Sequence, residues 1–422
     1  MFSISKNFRN VLTLVSGTAM AGLISVGLLP VITRLYSAEE FGILALILSF
    51  IQFWVTLQLW RYEQSIFIAK TQKEIGYILV LCFGILVVMT VLGILFFTIL
   101  HHYNIFGYGV VPEYFFWIIP LVTFGLGTFL LLRNLNIRLE NYKNVSLSTV
   151  YRVIGDFATK IGLGYAGYGV GGLFIGELVG AWFSTWRLFK LAIPSIKNSF
   201  YNISYRRLYS IAKRNKNFPM IDLPSAILDK MIFILPVPMI MILYGPFEAG
   251  LFAMSYRIAA LPCSKVASAF GDVFQAEFSQ KIREKNISGA ISFFYSSLKK
   301  YLLFALIIFL ASVILPPLLA ATIFGDEWAD IGNYIAIMAL WHFFAFFISP
   351  LSRIIPVLRV SKYKFIYDIS ALVLSIFSYL AMKVYDLNIL LGIGTLTFAN
   401  SLAYLIYLGV LIMIIKKQKV LV

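Results

Sequence analysis

Charge is what this sequence has least of. Only 13% of its 422 residues are charged, while 60% are hydrophobic, and the mean hydropathy is +0.87. No water-soluble domain of this length hides so much apolar surface in a core. Cysteine is also scarce: Cys82 and Cys263 are the only two, both inside apolar runs and without C-x-x-C spacing. That excludes a disulfide framework and a cysteine zinc site, and leaves them as small buried apolar side chains. There is no G-x-x-x-x-G-K-[ST] loop, so the chain hydrolyses no ATP itself. There is no D-x-D either, which argues against a metal-dependent glycosyltransferase. His101 and His102 sit together on a turn and His342 has no ligand pattern beside it, so no metal is assigned.

What is there is a series of apolar runs. A helix needs about 20 apolar residues to cross a bilayer, and such runs start near residues 10, 41, 75, 114, 144, 169, 218, 247, 301, 333, 365 and 389. The first continues past Ala19-Met20-Ala21, so it reads as an uncleaved spanning helix rather than a signal peptide. The expected fold is an all-α polytopic membrane protein with about twelve transmembrane helices. The 35 Lys and Arg residues outnumber the 19 Asp and Glu, and most lie in the segments 61–74, 133–143, 187–216, 271–300 and 359–364 and in the tails. The opposite turns hold only Arg34 and Lys383. By the positive-inside rule both termini are cytoplasmic. Basic residues confined to short loops point to anionic lipid headgroups as partner, not to nucleic acid. The outer connections are short, the longest spanning residues 101–113, which leaves no room for a folded extracytoplasmic domain. The boundaries read as 1–189, an N-terminal six-helix bundle; 190–216, a basic cytoplasmic linker; and 217–422, a C-terminal six-helix bundle.

One phrase occurs twice. "PVITRLYSAEEFGILAL" starts at Pro30 and "PMIMILYGPFEAGLFAM" at Pro238, so that Tyr36 falls on Tyr244, Glu40 on Glu248 and Gly42 on Gly250, while Arg34 falls on Ile242. This spacing carries the first helix onto the seventh and the second onto the eighth. It predicts two pseudo-symmetric six-helix bundles, pointing the same way, around a central cavity. Ser37 and Glu40 form a capping box; in the copy Gly245, Pro246 and Glu248 occupy the matching start of a helix.

The segments "TRLYSAEEFGILAL", "LYGPFEAGLFAMSYRIAALP" and "FGDEWADIGNYIAIMA", with "KNFPMIDLPSAILDK" from Lys216, resemble bacterial polysaccharide exporters of the O-antigen flippase (Wzx) type. These form the polysaccharide branch of the multidrug, oligosaccharidyl-lipid and polysaccharide exporter superfamily. The resemblance implies a flippase in the bacterial cell membrane, the inner membrane of a Gram-negative cell. Its cargo would be undecaprenyl-diphosphate-linked oligosaccharide, moved to the outer leaflet by alternating access for O-antigen, capsule or exopolysaccharide synthesis. It implies a monomeric transport unit, contacts with polysaccharide assembly proteins, no reaction on the cargo and no cofactor, with coupling to a proton or sodium gradient. The alternatives are a multidrug exporter of the same superfamily, which would favour acidic residues for organic cations, and a polysaccharide polymerase, which would need a catalytic outer loop.

Charged residues inside spans mark an interior or a cavity. A diphosphate calls for cations, arginine above all. The candidates for its contacts or for the cavity are Arg34, Arg257, Lys265, Arg152 and Lys160. Arg257 and Lys265 point within roughly 80° of each other, about 12 Å apart along one helix. Arg152, Asp156 and Lys160 follow at successive i+4 steps, a ladder in which Asp156 can pair with either neighbour. Glu177 is a cross-helix partner for it. Asp229 and Lys230, on a helix interrupted by Pro224, Pro236 and Pro238, complete the ion-coupling or gating candidates with Asp156 and Glu177. The plainer readings are an interfacial anchor for Arg34, a snorkelling Lys265, a self-neutralised structural strip for Arg152, Asp156 and Lys160, and a local Asp229–Lys230 pair. The aromatic cluster from Trp341 to Phe347, and the pair Trp182 and Trp186, read as packing.

Overall fold

A computed structural model describes residues 6–200, 204–358, 360 and 362–420. All its long elements are helices, and no strand occurs among the described residues. The expected spans appear in order. The first is α1 (Lys6–Gly27), continued by the single turn α2 (Leu29–Ile32). Then come α3 (Ala38–Leu57), α4 (Gln72–His102), α5 (Phe115–Arg138), α6 (Tyr142–Tyr165) and α7 (Gly169–Phe200). Within the basic segment lies a short helix, α8 (Tyr205–Arg214). The second half consists of α9 (Leu223–Ile234), α10 (Pro236–Arg283), α11 (Ile287–Phe324), α12 (Ile331–Leu351), the single turn α13 (Ile354–Val357), α14 (Lys362–Val384) and α15 (Ile389–Val420).

Eight of the described helical segments are long and apolar enough to cross a membrane. Their outward faces carry exposed Val88, Leu92 and Leu95 on α4 and Leu303, Ile307 and Leu318 on α11, residues that water would not tolerate in such density and that lipid accepts. The chain is a multi-pass membrane protein.

The seventh span is where helical regularity fails. It opens with a π turn over Phe218–Asp222, runs as α9, and re-forms at Pro236, which starts α10. Proline lacks the N–H that would continue the ladder from the preceding turn. α10 carries the end of this span and the whole of the next, with Gly245 between them at φ 87° and ψ 179°, a conformation open to glycine alone.

The chain divides into two compact units, Met1–Ile234 and Leu235–Val422. The division follows α9, which packs on α3, so the helix that begins the second half by sequence places its first segment in the first unit. Within that unit α6 lies along both α1 and α7, and α5 lies along α4 and α7. In the second unit α12 packs against α10, α11 and α15, and α14 against α15. The short α8 is tied to the first unit: Tyr62 donates to the Ala212 carbonyl at 3.2 Å, Arg207 donates to the Tyr77 hydroxyl at 3.4 Å, and Arg214 pairs with Glu74.

The repeated phrase has a physical counterpart in each unit. Tyr36 donates to the Lys160 carbonyl at 2.6 Å, and its hydroxyl lies where a Cβ on Gly172, in the first turn of α7, would come within 2.5 Å. Tyr244 donates to the Leu387 carbonyl at 2.8 Å, and a Cβ on Gly392, in the first turn of α15, would fall 2.6 Å from its hydroxyl. Both tyrosines thus clasp the start of a later long helix of their own unit, α7 in the first and α15 in the second. Burial and the nearby Glu40 carboxylate push the Tyr36 phenol up to about 12, so it remains a donor. The Ser37 box forms as expected, Ser37 Oγ accepting from Glu40 N at 3.2 Å and Ser37 N donating to Glu40 Oε2 at 2.9 Å. In the copy, Glu248 instead accepts a hydrogen bond from Tyr334 on α12.

Candidate functional site

Lys160 lies near the end of α6 with only 2% of its surface exposed. Its ammonium is 2.7 Å from Asp156 Oδ1, one turn earlier on the same helix, and 2.7 Å from Glu177 Oε1 on α7. The ring of Phe157 lies 5.8 Å away. The i,i+4 step explains the first contact. The second depends on how closely α7 approaches. Gly172, Gly176 and Gly180 form a stripe along α7, and a Cβ on Gly176 would sit 2.5 Å from Lys160 Cγ and 2.9 Å from the Asp156 carbonyl. At Gly180 it would meet the Arg152 carbonyl at 2.8 Å. Small residues at every fourth position let two helix backbones close up in a membrane, and Glu177, next to Gly176, is thereby delivered to Lys160.

Two carboxyl groups thus share one ammonium inside an apolar unit. The second unit has nothing like it at the matching places. Counting from Gly172 and Gly392, Glu177 falls on Thr397 and Gly180 on Asn400. That region is polar but uncharged, with Ser378 and Thr395 sharing a hydrogen bond at 2.8 Å and Asn400 donating to the Leu396 carbonyl at 2.9 Å.

The structure brings Asp156, Lys160 and Glu177 together, and Arg152 lies half-buried on α6, one turn before Asp156. Arg34 is exposed in the turn before α3, its guanidinium donating to the Pro30 carbonyl at 3.0 Å. Arg257 is half-buried and Lys265 exposed, both on α10 and therefore in the second unit. Asp229 is half-buried and Lys230 exposed on α9. His342 is buried, its Nδ1 bonded to the Met338 carbonyl at 2.9 Å, and Trp341 packs on Tyr256 at 5.4 Å between ring centroids. Two buried acids escaped the reading of the sequence: Asp368, 1% exposed on α14 and paired with Lys364 at 3.0 Å, and Glu63, 1% exposed in the turn between α3 and α4. The sequence signal of Glu63 is an acid set among Tyr62, Ile66, Phe67 and Ile68 in a segment that otherwise reads as a basic loop.

Solved structures share this fold. The lipid II flippase MurJ in an inward closed conformation superposes with a TM-score of 0.71 at 14% identity, over 95% of this chain and 87% of that one. A multidrug resistance MATE family transporter of the MOP superfamily, in an inward-facing conformation, gives 0.61 at 15% identity over 99% and 97%. A MOP superfamily transporter from Pyrococcus furiosus gives 0.62 at 14% identity over 97% and 96%. No curated protein matches. Residues 31–333 match the polysaccharide biosynthesis protein family, and the chain belongs to that family, on the fold of MOP-superfamily transporters.

Proposed function

We propose that this protein is a flippase for lipid-linked oligosaccharides. It moves undecaprenyl-diphosphate-linked repeat units from the cytoplasmic to the outer leaflet, without chemistry on its cargo, for O-antigen, capsule or exopolysaccharide synthesis. The observation that carries this reading is the family match over residues 31–333 on a chain with a transporter fold. The task is physically demanding: each sugar hydroxyl left unpaired in hydrocarbon costs several kcal/mol, so a repeat unit does not cross unaided. Arg34 and Arg257 serve the diphosphate, with Lys265 and Arg152 as further cations on its route. Asp156, Lys160 and Glu177 form the coupling site for a proton or sodium ion, and Asp229 on α9 is a further coupling or gating acid. Both termini face the cytoplasm.

Deleting the gene tests this. Lipid-linked repeat units should accumulate in the inner leaflet while surface polysaccharide is lost; surface polysaccharide unchanged in the deletion strain overturns the reading. The second reading is a multidrug exporter, supported by the fold shared with a multidrug resistance transporter. It predicts altered drug sensitivity with normal surface polysaccharide.

A further inference from the structure

Between α3 and α4 the chain makes a turn that its side chains resist. Trp60 and Arg61 lie at φ 49° and 62°, in the left-handed region where a Cβ crowds the backbone. The result is a 3-10 turn over Tyr62–Phe67 that points Glu63 inward, to 1% exposure. The turn is fastened in place. Ser65 donates to the Tyr62 carbonyl at 2.6 Å, Tyr62 reaches the Ala212 carbonyl on α8, and Arg138 on α5 donates to the Ala69 carbonyl at 3.4 Å. Glu63 is therefore not free to swing its carboxylate out to water.

Inside, that carboxylate is poorly served. Oε1 accepts a long bond of 3.4 Å from Gln64 and stands 3.7 Å from Arg61 Nη1. Oε2 has no hydrogen-bond partner among the described residues, and neither does Arg61 Nε. A buried ionised carboxylate ordinarily collects several donors. From side chains this one has a single long bond and an arginine beyond hydrogen-bonding distance. A neutral carboxyl group fits the same surroundings better, because its proton removes the charge that burial penalises.

We propose that Glu63 is a proton-binding site of the first unit, built into the strained turn between α3 and α4. Burial raises its carboxyl above the ordinary range, and its own backbone hydrogen bond, Arg61 and Gln64 offset this only in part. Tyr62 shares its turn. The other charged or titratable groups on the elements packed around it are Lys73, Tyr77 and Cys82 on α4, with His101 and His102 at its far end, Arg133 and Arg138 on α5, and Asp222 in the π turn before α9; Glu74 on α4 is taken up by Arg214. The proposal is independent of the flippase reading and of the Asp156–Lys160–Glu177 set, since its readout is the protein's own stability.

The sign follows from the raised pKa. Stability from protonated Glu63 is fully present below the unfolded-state value and is lost as pH rises through the folded-state value. The experiment is thermal unfolding of the purified full-length protein, wild type and Glu63→Gln, from about pH 4.5 to about pH 8.5. Glutamine copies the neutral shape. The two proteins should unfold at similar temperatures at the acid end, and the variant should become progressively the more stable as pH rises. A gap that does not change with pH, or a variant less stable at every pH, overturns the proposal. Infrared difference spectra across the same range give a second measurement: a buried carboxylic C=O band present in the wild type and missing from Glu63→Gln supports the site. If glutamine is not accommodated, Glu63→Asp should shift that band, and an unshifted band counts against it.

Discussion

Replacing Lys160 with methionine keeps most of the side-chain volume and removes the ammonium from between two carboxylates. The structure sets the magnitude. Nζ is 2.7 Å from both Asp156 and Glu177, and the three side chains are only 3%, 11% and 12% exposed, so water screens little. Removing one partner of a buried ion pair costs about 3–5 kcal/mol, because the remaining charge loses the counter-charge that offset its burial. At about 1.4 kcal/mol per tenfold, that is roughly a hundred- to several thousand-fold in the folding equilibrium. Equilibrium unfolding of the purified protein in mixed micelles reads this directly. The companion is the triple variant Asp156→Asn, Lys160→Met, Glu177→Gln, which removes every charge of the set and should regain most of the loss, since neutral replacement of a buried ionic group is often close to neutral in stability. A Lys160→Met protein within about 1 kcal/mol of wild type, or a triple variant as unstable as the single one, refutes the reasoning.

Gly176→Leu should separate α6 from α7, since even a Cβ there would press on the Asp156 carbonyl at 2.9 Å; a loss of about 1–3 kcal/mol is expected, and unchanged unfolding would show that the helices part freely. Tyr36→Phe and Tyr244→Phe each delete one hydrogen bond to a carbonyl and should each destabilise by about 0.5–1.5 kcal/mol, additively because the two lie in separate units; a coupled pair would contradict the two-clasp description. Arg257→Ala should lower export of lipid-linked sugar several-fold at normal protein level in a complementation assay, and full export would remove Arg257 from the diphosphate contacts.

How much of this was legible in the sequence depends on the range of the interaction. The span positions followed from apolar runs of bilayer length, and the Ser37 box from four consecutive residues. The Asp156–Lys160 contact was legible because i and i+4 share a helix face. Glu177 was legible only as a possible partner: its arrival at Lys160 depends on Gly172, Gly176 and Gly180 bringing two backbones together, and glycine in a membrane helix has several other uses. Glu63 was hidden, because its inward direction comes from two left-handed residues, Trp60 and Arg61, that no local propensity predicts. The repeated phrase was visible as letters, but the clasp of Tyr36 on Gly172 and of Tyr244 on Gly392 joins residues more than a hundred positions apart.

By itself, then, the sequence determined the solvent and the secondary structure: with 13% charge the chain must lie in lipid, and in lipid its backbone must satisfy itself as helices. Only the tertiary structure decided which charges meet. A helix presents its side chains in every direction around its axis, and the choice of neighbour rests on the packing of glycine stripes and strained turns. That packing paired Lys160 with two acids and left Glu63 with almost none of the partners a buried carboxylate needs.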